Sequence, residues 1–198
     1  MEILAKVKRK LGLEKDRREW LLEMMPRNAV CAEIGVLWGV FSRAILKVTK
    51  PKTLHLIDPW AYREDLADEL YGNRSKSTPE SMDKIYDHIK RRLGKRPNVR
   101  IHRLSSQEAV ELFSDNYFDW IYIDGDHRYE PARADLERYH AKVKAGGLVA
   151  GDDYAWGKKT WFQDGVTRAV DEVLLTGMYE RVLISPAQHQ FILRVVKI

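Results

Sequence analysis

The chain has 198 residues, 44% of them hydrophobic, and a single cysteine, Cys31; this fits one compact domain and excludes an internal disulfide or a multi-cysteine zinc site. No apolar run approaches the roughly 20 residues that cross a bilayer, and the start MEILAKVKRKLGLEKDRREW is too charged for a secretory signal, so the expectation is a soluble, cytoplasmic protein. The net charge of +5 admits acidic partners, but the basic residues gather between Lys6 and Arg18 and in IKRRLGKRPNVR with no interleaved aromatics, which disfavours a stacking surface for nucleic acid.

Taken in chain order, the pattern predicts an amphipathic helix over 2–24, stopped by Pro26 and packed as an appendage (1–27) on a domain spanning 28–198. Strands are expected at 29–34, 53–58, 99–104, 118–124 and 147–153, with helices between them near 38–48, 79–94, 106–113, 129–142 and 163–176. Such alternation implies a parallel sheet with helices on both faces. YERVLIS and HQFILRVV are joined only by PAQ, so they should pair as an antiparallel hairpin at the edge. The expected fold is a Rossmann-like, doubly wound α/β sheet of seven strands. Cys31, inside AVCAEIGV, reads as a buried core residue. Residues 61–80 exceed an ordinary connection and read equally as a plain insertion or as a lid over a substrate.

Ligands in open α/β sheets bind beyond the carboxyl ends of the strands, so the last residue of each strand carries the functional reading. The first strand runs into Glu33, Gly35 and Gly39, whose glycines allow a tight turn and close approach of backbone to a ligand. The second ends in Asp58, able to accept from both hydroxyls of a ribose. The pattern E-x-G-x-x-x-G lacks the third glycine of a dinucleotide site, and an acidic Glu33 suits a cationic group rather than a pyrophosphate. A ligand with a ribose and an amino-acid tail fits better than NAD. Asp124, Asp152 and Asp153 fall at the ends of neighbouring strands, where like charges need a compensating cation. Oxygen ligands without cysteine suit a hard divalent ion, with Mg²⁺ foremost. Each aspartate, taken singly, also reads as a cap or turn residue. The other histidines, His55, His88, His102, His140 and His189, read as structural or surface residues.

The set AEIGVLWGVFS, LIDPW, IYIDGDH and GGLVAGDDY resembles class I S-adenosylmethionine-dependent methyltransferases, over about residues 28–198. Within them it is similar to the branch of metal-dependent sugar and antibiotic O-methyltransferases, and more distantly to the catechol and caffeoyl-CoA enzymes. The resemblance implies strand order 3-2-1-4-5-7-6, S-adenosylmethionine as methyl donor and a small hydroxylated acceptor. It places Glu33, Gly35 and Gly39 around the methionine part of the donor and Asp58 on its ribose, with Trp60 and Ser106 flanking the adenine and Asp124 also beside the donor. Trp60 reads equally as a core aromatic, and the serines at 105 and 106 as a helix cap. In the family the positions of Asp124, Asp152 and Asp153 hold the metal. Asp126 matches the base of the sugar and antibiotic enzymes, and His127 a lysine of the catechol enzyme; Asp126 is taken as base and His127 as a substrate contact. Two alternatives stand beside this reading: a methyltransferase without metal, and a nucleic-acid-associated module, against which the absence of an N-P-P-Y tetrapeptide counts. Family members often self-associate, which makes a homo-oligomer an open expectation.

Overall fold

A computed structural model describes residues 18–63, 78–156 and 164–197. Seven strands form one sheet in the order 3-2-1-4-5-7-6, as the sequence implies. They are β1 (Val30–Ile34), β2 (Thr53–Ile57), β3 (Val99–His102), β4 (Phe118–Ile123), β5 (Val143–Gly151), β6 (Tyr179–Ser185) and β7 (Gln190–Val195). The first five run parallel; β7 lies antiparallel to both β5 and β6. Between them come α1 (Glu19–Leu22), α2 (Val40–Val48), α3 (Pro79–Leu93), α4 (Ser106–Ala109), α5 (Tyr129–Lys142) and α6 (Gly165–Leu175). Of the helix expected over 2–24, residues 1–17 lie outside the described residues, as do most of the 61–80 insertion and residues 157–163.

Both faces of the sheet are covered, which is why its central strands are apolar on alternate and intervening positions alike. On one face Leu21, Leu22, Phe41, Ile45, Met82 and Ile89 pack over the strands with Cys31 and Trp120. On the other, Phe113, Leu136, Tyr139, Val170 and Val173 pack over Ala32, Ile121 and Val149. Cys31 is fully buried. The end of the sheet is set by register: Ile34 pairs with Ile57 and with Ile123, and Ile123 with Gly151. The next residues, Gly35, Asp58, Asp124 and Asp152, therefore leave the sheet along one line. β1 and β4 are the neighbours at which the strand order reverses, so this line crosses the switch point where such sheets bind ligands.

Two strand histidines sit away from that edge. His55 Nδ1 lies 2.9 Å from His102 Nε2, and His55 Nε2 lies 3.1 Å from the Tyr117 hydroxyl, with Phe113 and Phe118 edge-on to the His55 ring. Burial, then the charges of His102 and Arg100, push His55 down to about 4, and burial also lowers His102. His55 is therefore neutral in the fold at neutral pH, and an unfolded histidine titrates near 6.5. The stability His55 contributes is thus present above pH 6.5 and lost as pH falls toward 4. For His55, allowing for solvent screening, the expected loss is about 1–2 kcal/mol. Urea denaturation of wild type and His55→Gln at pH 7.5 and pH 4.5 should show a wider gap between them at the higher pH; a constant gap would refute this.

Candidate active site

The turn after β1 is shaped by contact between backbones. Gly35 has φ +86°, and a Cβ there would lie 1.9 Å from the Asp124 carbonyl oxygen. Asp124 N donates to Ile34 O at 2.7 Å and Gly35 N to Ile57 O at 2.9 Å, tying the turn to both flanking strands. Leu37 and Gly39 are also left-handed, and Gly39 precedes α2, whose Ser42 hydroxyl donates to the buried Glu33 carboxylate.

Asp58 holds this turn in place. Its Oδ2 accepts from the amides of Val36 and Leu37, each at 2.9 Å, and its Oδ1 from the Trp60 amide at 2.7 Å. Burial raises its pKa, partly opposed by the amides of Leu37, Trp60 and Val36, with Asp124 adding to the rise. Trp60 itself departs from the adenine-flanking role: it has no exposed surface, packs on Tyr86 with ring centroids 5.3 Å apart, and donates from Nε1 to Leu37 O. It is a core aromatic under the turn. Ser105, rather than Ser106, caps α4 through a reciprocal pair with Glu108. Ser106 accepts from the Tyr139 hydroxyl through its carbonyl and adjoins Asp135 on α5. Asp135 is a residue sequence reasoning missed. Burial pushes its carboxyl up to about 6, with the Ser106 hydrogen bond opposing and Asp126 adding.

The carboxylates beyond β4 and β5 are close. Asp152 Oδ1 accepts from the Asp153 amide and from the Gln190 side chain, whose Oε1 accepts from the Tyr122 hydroxyl. His127 lies near the other two, with Nε2 3.1 Å from Asp153 Oδ2 and 3.6 Å from Asp124 Oδ1. One ligand atom each from Asp124, His127 and Asp153 lie within 4.8 Å of one another. Asp124, His127 and Asp153 thus form a candidate set beside the expected Asp124, Asp152 and Asp153, in which one oxygen of Asp152 is engaged by Gln190 on β7. Two carboxylate oxygens and an imidazole nitrogen are a donor set that fits Mn²⁺ or Mg²⁺.

Two internal cations already face these charges. Arg18, just ahead of α1, pairs with Asp124 Oδ2 and lies 3.7 Å from Asp152 Oδ2. Its guanidinium stands 4.4 Å above the Phe41 ring centre and 5.9 Å from that of Tyr122. For His127, burial alone would lower the pKa, but the hydrogen bond to Asp124 and the charges of Asp153, Asp124 and Asp152 hold it at about 9. The imidazole is protonated at neutral pH. Arg18 carries no distinguishing signal among the N-terminal basic residues, so only its contacts reveal it.

Asp126 points its carboxylate at Arg128, which meets it through Nε at 3.0 Å and Nη2 at 2.5 Å, while Arg63 lies 3.5 Å away. The loop carrying Asp126 and His127 is pinned from behind by α6. A Cβ on Gly165 would come 2.5 Å from His127 O, so only glycine lets the helix approach. Between these groups a small, partly open cleft is lined by Asp124, Asp126, His127, Asp152, Val166 and Phe191. In the loop after β5, Trp156, 48% exposed, meets the His189 ring in an edge-to-face contact. No helix among the described residues is long and apolar enough to cross a membrane.

A family model described as a methyltransferase domain matches residues 32–154. An uncharacterized protein, R132, of Acanthamoeba polyphaga mimivirus is 40% identical over 57 residues, or 27% of this chain; the match spans only 26% of that protein's length. Among solved structures, the O-methyltransferase NovP superposes with a TM-score of 0.65 at 18% identity, over 96% of this chain and 88% of that one. The N-methyltransferase NodS from Bradyrhizobium japonicum gives 0.59 at 14% identity, over 91% and 95%. At these identities the likeness is one of fold, shared by enzymes that methylate different atoms.

Proposed function

The chain belongs to the methyltransferase family whose domain matches residues 32–154, and from that premise we propose that it moves a methyl group from S-adenosylmethionine to a hydroxyl of a small molecule, such as a sugar or glycosylated metabolite, with help from a divalent metal. The observation that carries this reading is the seating of the Gly35 turn against the Asp124 carbonyl, beside carboxylates at the ends of adjoining strands. A donor with a cationic sulfonium and ammonium suits the acidic lining.

In the reaction a lone pair of the acceptor oxygen forms the new C–O bond, the C–S bond breaks, and its electrons remain on sulfur, leaving S-adenosylhomocysteine. The hydroxyl proton goes to Asp126, which Arg128 holds in orientation at the cleft. A divalent cation held by Asp124, His127 and Asp153 would supply positive charge that lowers the hydroxyl's pKa. Asp58 and Glu33 act from beneath, the first fixing the turn that faces the donor and the second anchoring α2 through Ser42. Arg18 and His127 also favour a second reading, in which two side-chain cations balance the carboxylates and the metal is dispensable.

Isothermal titration with S-adenosylmethionine and S-adenosylhomocysteine tests the first step; no binding of either would end the proposal. Once an acceptor is found, chelation by EDTA separates the readings, since full turnover without divalent ion leaves only the metal-free one. Asp126→Asn is expected to lower kcat about a hundredfold with KM nearly unchanged, as loss of a general base does. Wild-type turnover in that variant would take the proton from Asp126.

A further inference from the structure

Asp124 lies between two claims on its charge. Its Oδ2 is paired with Arg18 and its Oδ1 faces His127, one of the three side chains grouped around the candidate ion position. We propose that Arg18 is a tethered cation that competes with a divalent ion for Asp124, so that the ion binds only as the guanidinium withdraws. The inference rests on the metal reading of Asp124, His127 and Asp153.

Three features support competition over coexistence. The two oxygens of one carboxylate are so close that a dication on one and a guanidinium on the other repel strongly, and Arg18 and Asp124 are both largely shielded from water, with side-chain exposures of 14% and 21%. A guanidinium stays charged and can yield to an arriving ion only by moving. Arg18 is also built to stay: it stacks on Phe41, lies near Tyr122, and has a second carboxylate, Asp152, at 3.7 Å. A flat, weakly hydrated cation over an aromatic face is stable in a site that would strip water from a lysine.

The anchoring of the segment makes withdrawal local. Leu21 and Leu22 of α1 are buried in the core, so α1 remains docked while the Arg18 side chain, just before it, swings on its own rotamers. Coupling of this kind is reciprocal: whatever draws Arg18 away tightens the ion by the same factor that the ion loosens Arg18.

Mn²⁺ titration of the full chain, followed by electron paramagnetic resonance of the free ion, reads this directly. Arg18→Gln is expected to bind Mn²⁺ at least about tenfold more tightly than wild type, within the usual range of site–site coupling. Arg18→Lys, which keeps the charge and loses the planar stack, should fall between them and serves if the glutamine variant misfolds. Asp124→Asn should abolish this binding in either background, which places the ion. Equal or weaker Asp124-dependent binding in Arg18→Gln would overturn the competition and leave the metal reading standing. Absence of Asp124-dependent binding in wild type and Arg18→Gln alike would remove the metal reading, and this inference with it.

Discussion

Replacing Gly35 by alanine is expected to cost more than about 4 kcal/mol, beyond the range of ordinary substitutions, and to abolish donor binding in whatever protein still folds. The left-handed backbone, with φ +86°, accounts for about 1–2 kcal/mol of that loss. The rest comes from the Asp124 carbonyl oxygen, 1.9 Å from the added Cβ. No rotamer relieves a clash between two backbones; β1 and β4 would have to separate at this end, breaking the bond from Asp124 N to Ile34 O. Gly146→Ala provides the reference, since its φ is +74° and a Cβ there meets nothing within 4 Å. It should lose only about 1–2 kcal/mol, the backbone cost alone. Gly39→Ala should lie between the two, because its nearest obstacle, at 2.8 Å, is the mobile end of Ile89. Urea denaturation orders the three; if Gly35→Ala matched Gly146→Ala, the close approach would carry no weight.

Much of this arrangement is legible in the sequence because period and punctuation are local. Apolar runs bounded by turn residues mark the strands, and the run from Val30 to Ile34 followed by Gly35 announces both a strand and its turn. Boundaries are less legible where hydrogen bonding decides them. β5 begins at Val143, four residues before the expected start, because Val143 pairs with Phe118 and the KAGG that follows is taken up in a register shift before Leu148 pairs with Trp120. The helix expected over 106–113 divides into α4 and a 3-10 turn, Val110–Leu112.

The site is legible as a list of residues and much less so as a set of contacts. That Asp124, Asp152 and Asp153 share an edge follows from strand ends alone. That one oxygen of Asp152 is taken up by Gln190 depends on a residue 38 positions later on an antiparallel neighbour. Arg18 reaches Asp124 across 106 residues, and Asp135, a charged residue within a helix, is buried. Side-chain partners of this kind are made by tertiary packing, and no periodicity encodes them.

Asp58 carries the second large effect, and the reason lies in the strain it offsets. Leu37, at φ +45°, and Trp60, at φ +38°, are bulky residues in the left-handed region, costing on the order of 1–2 kcal/mol each. One buried carboxylate holds both ends of that strained pair: it accepts the Leu37 and Trp60 amides together with that of Val36, while the Trp60 indole closes the loop on Leu37 O. Asp58→Ala leaves three amides to find new partners or none, at about 1–3 kcal/mol each where they stay buried. The expected loss is about 4–6 kcal/mol. Asp58→Asn should lose less, about 2–3 kcal/mol, because its carbonyl can still serve Val36 and Leu37 while its amide group opposes the Trp60 N–H. S-adenosylhomocysteine affinity should fall in the same order, since the turn facing the donor loses its support in that order. Chemical denaturation and calorimetry on the two variants check both series. If Asp58→Ala were as stable as wild type and weakened only donor binding, the carboxylate would act on the ribose and not on the turn.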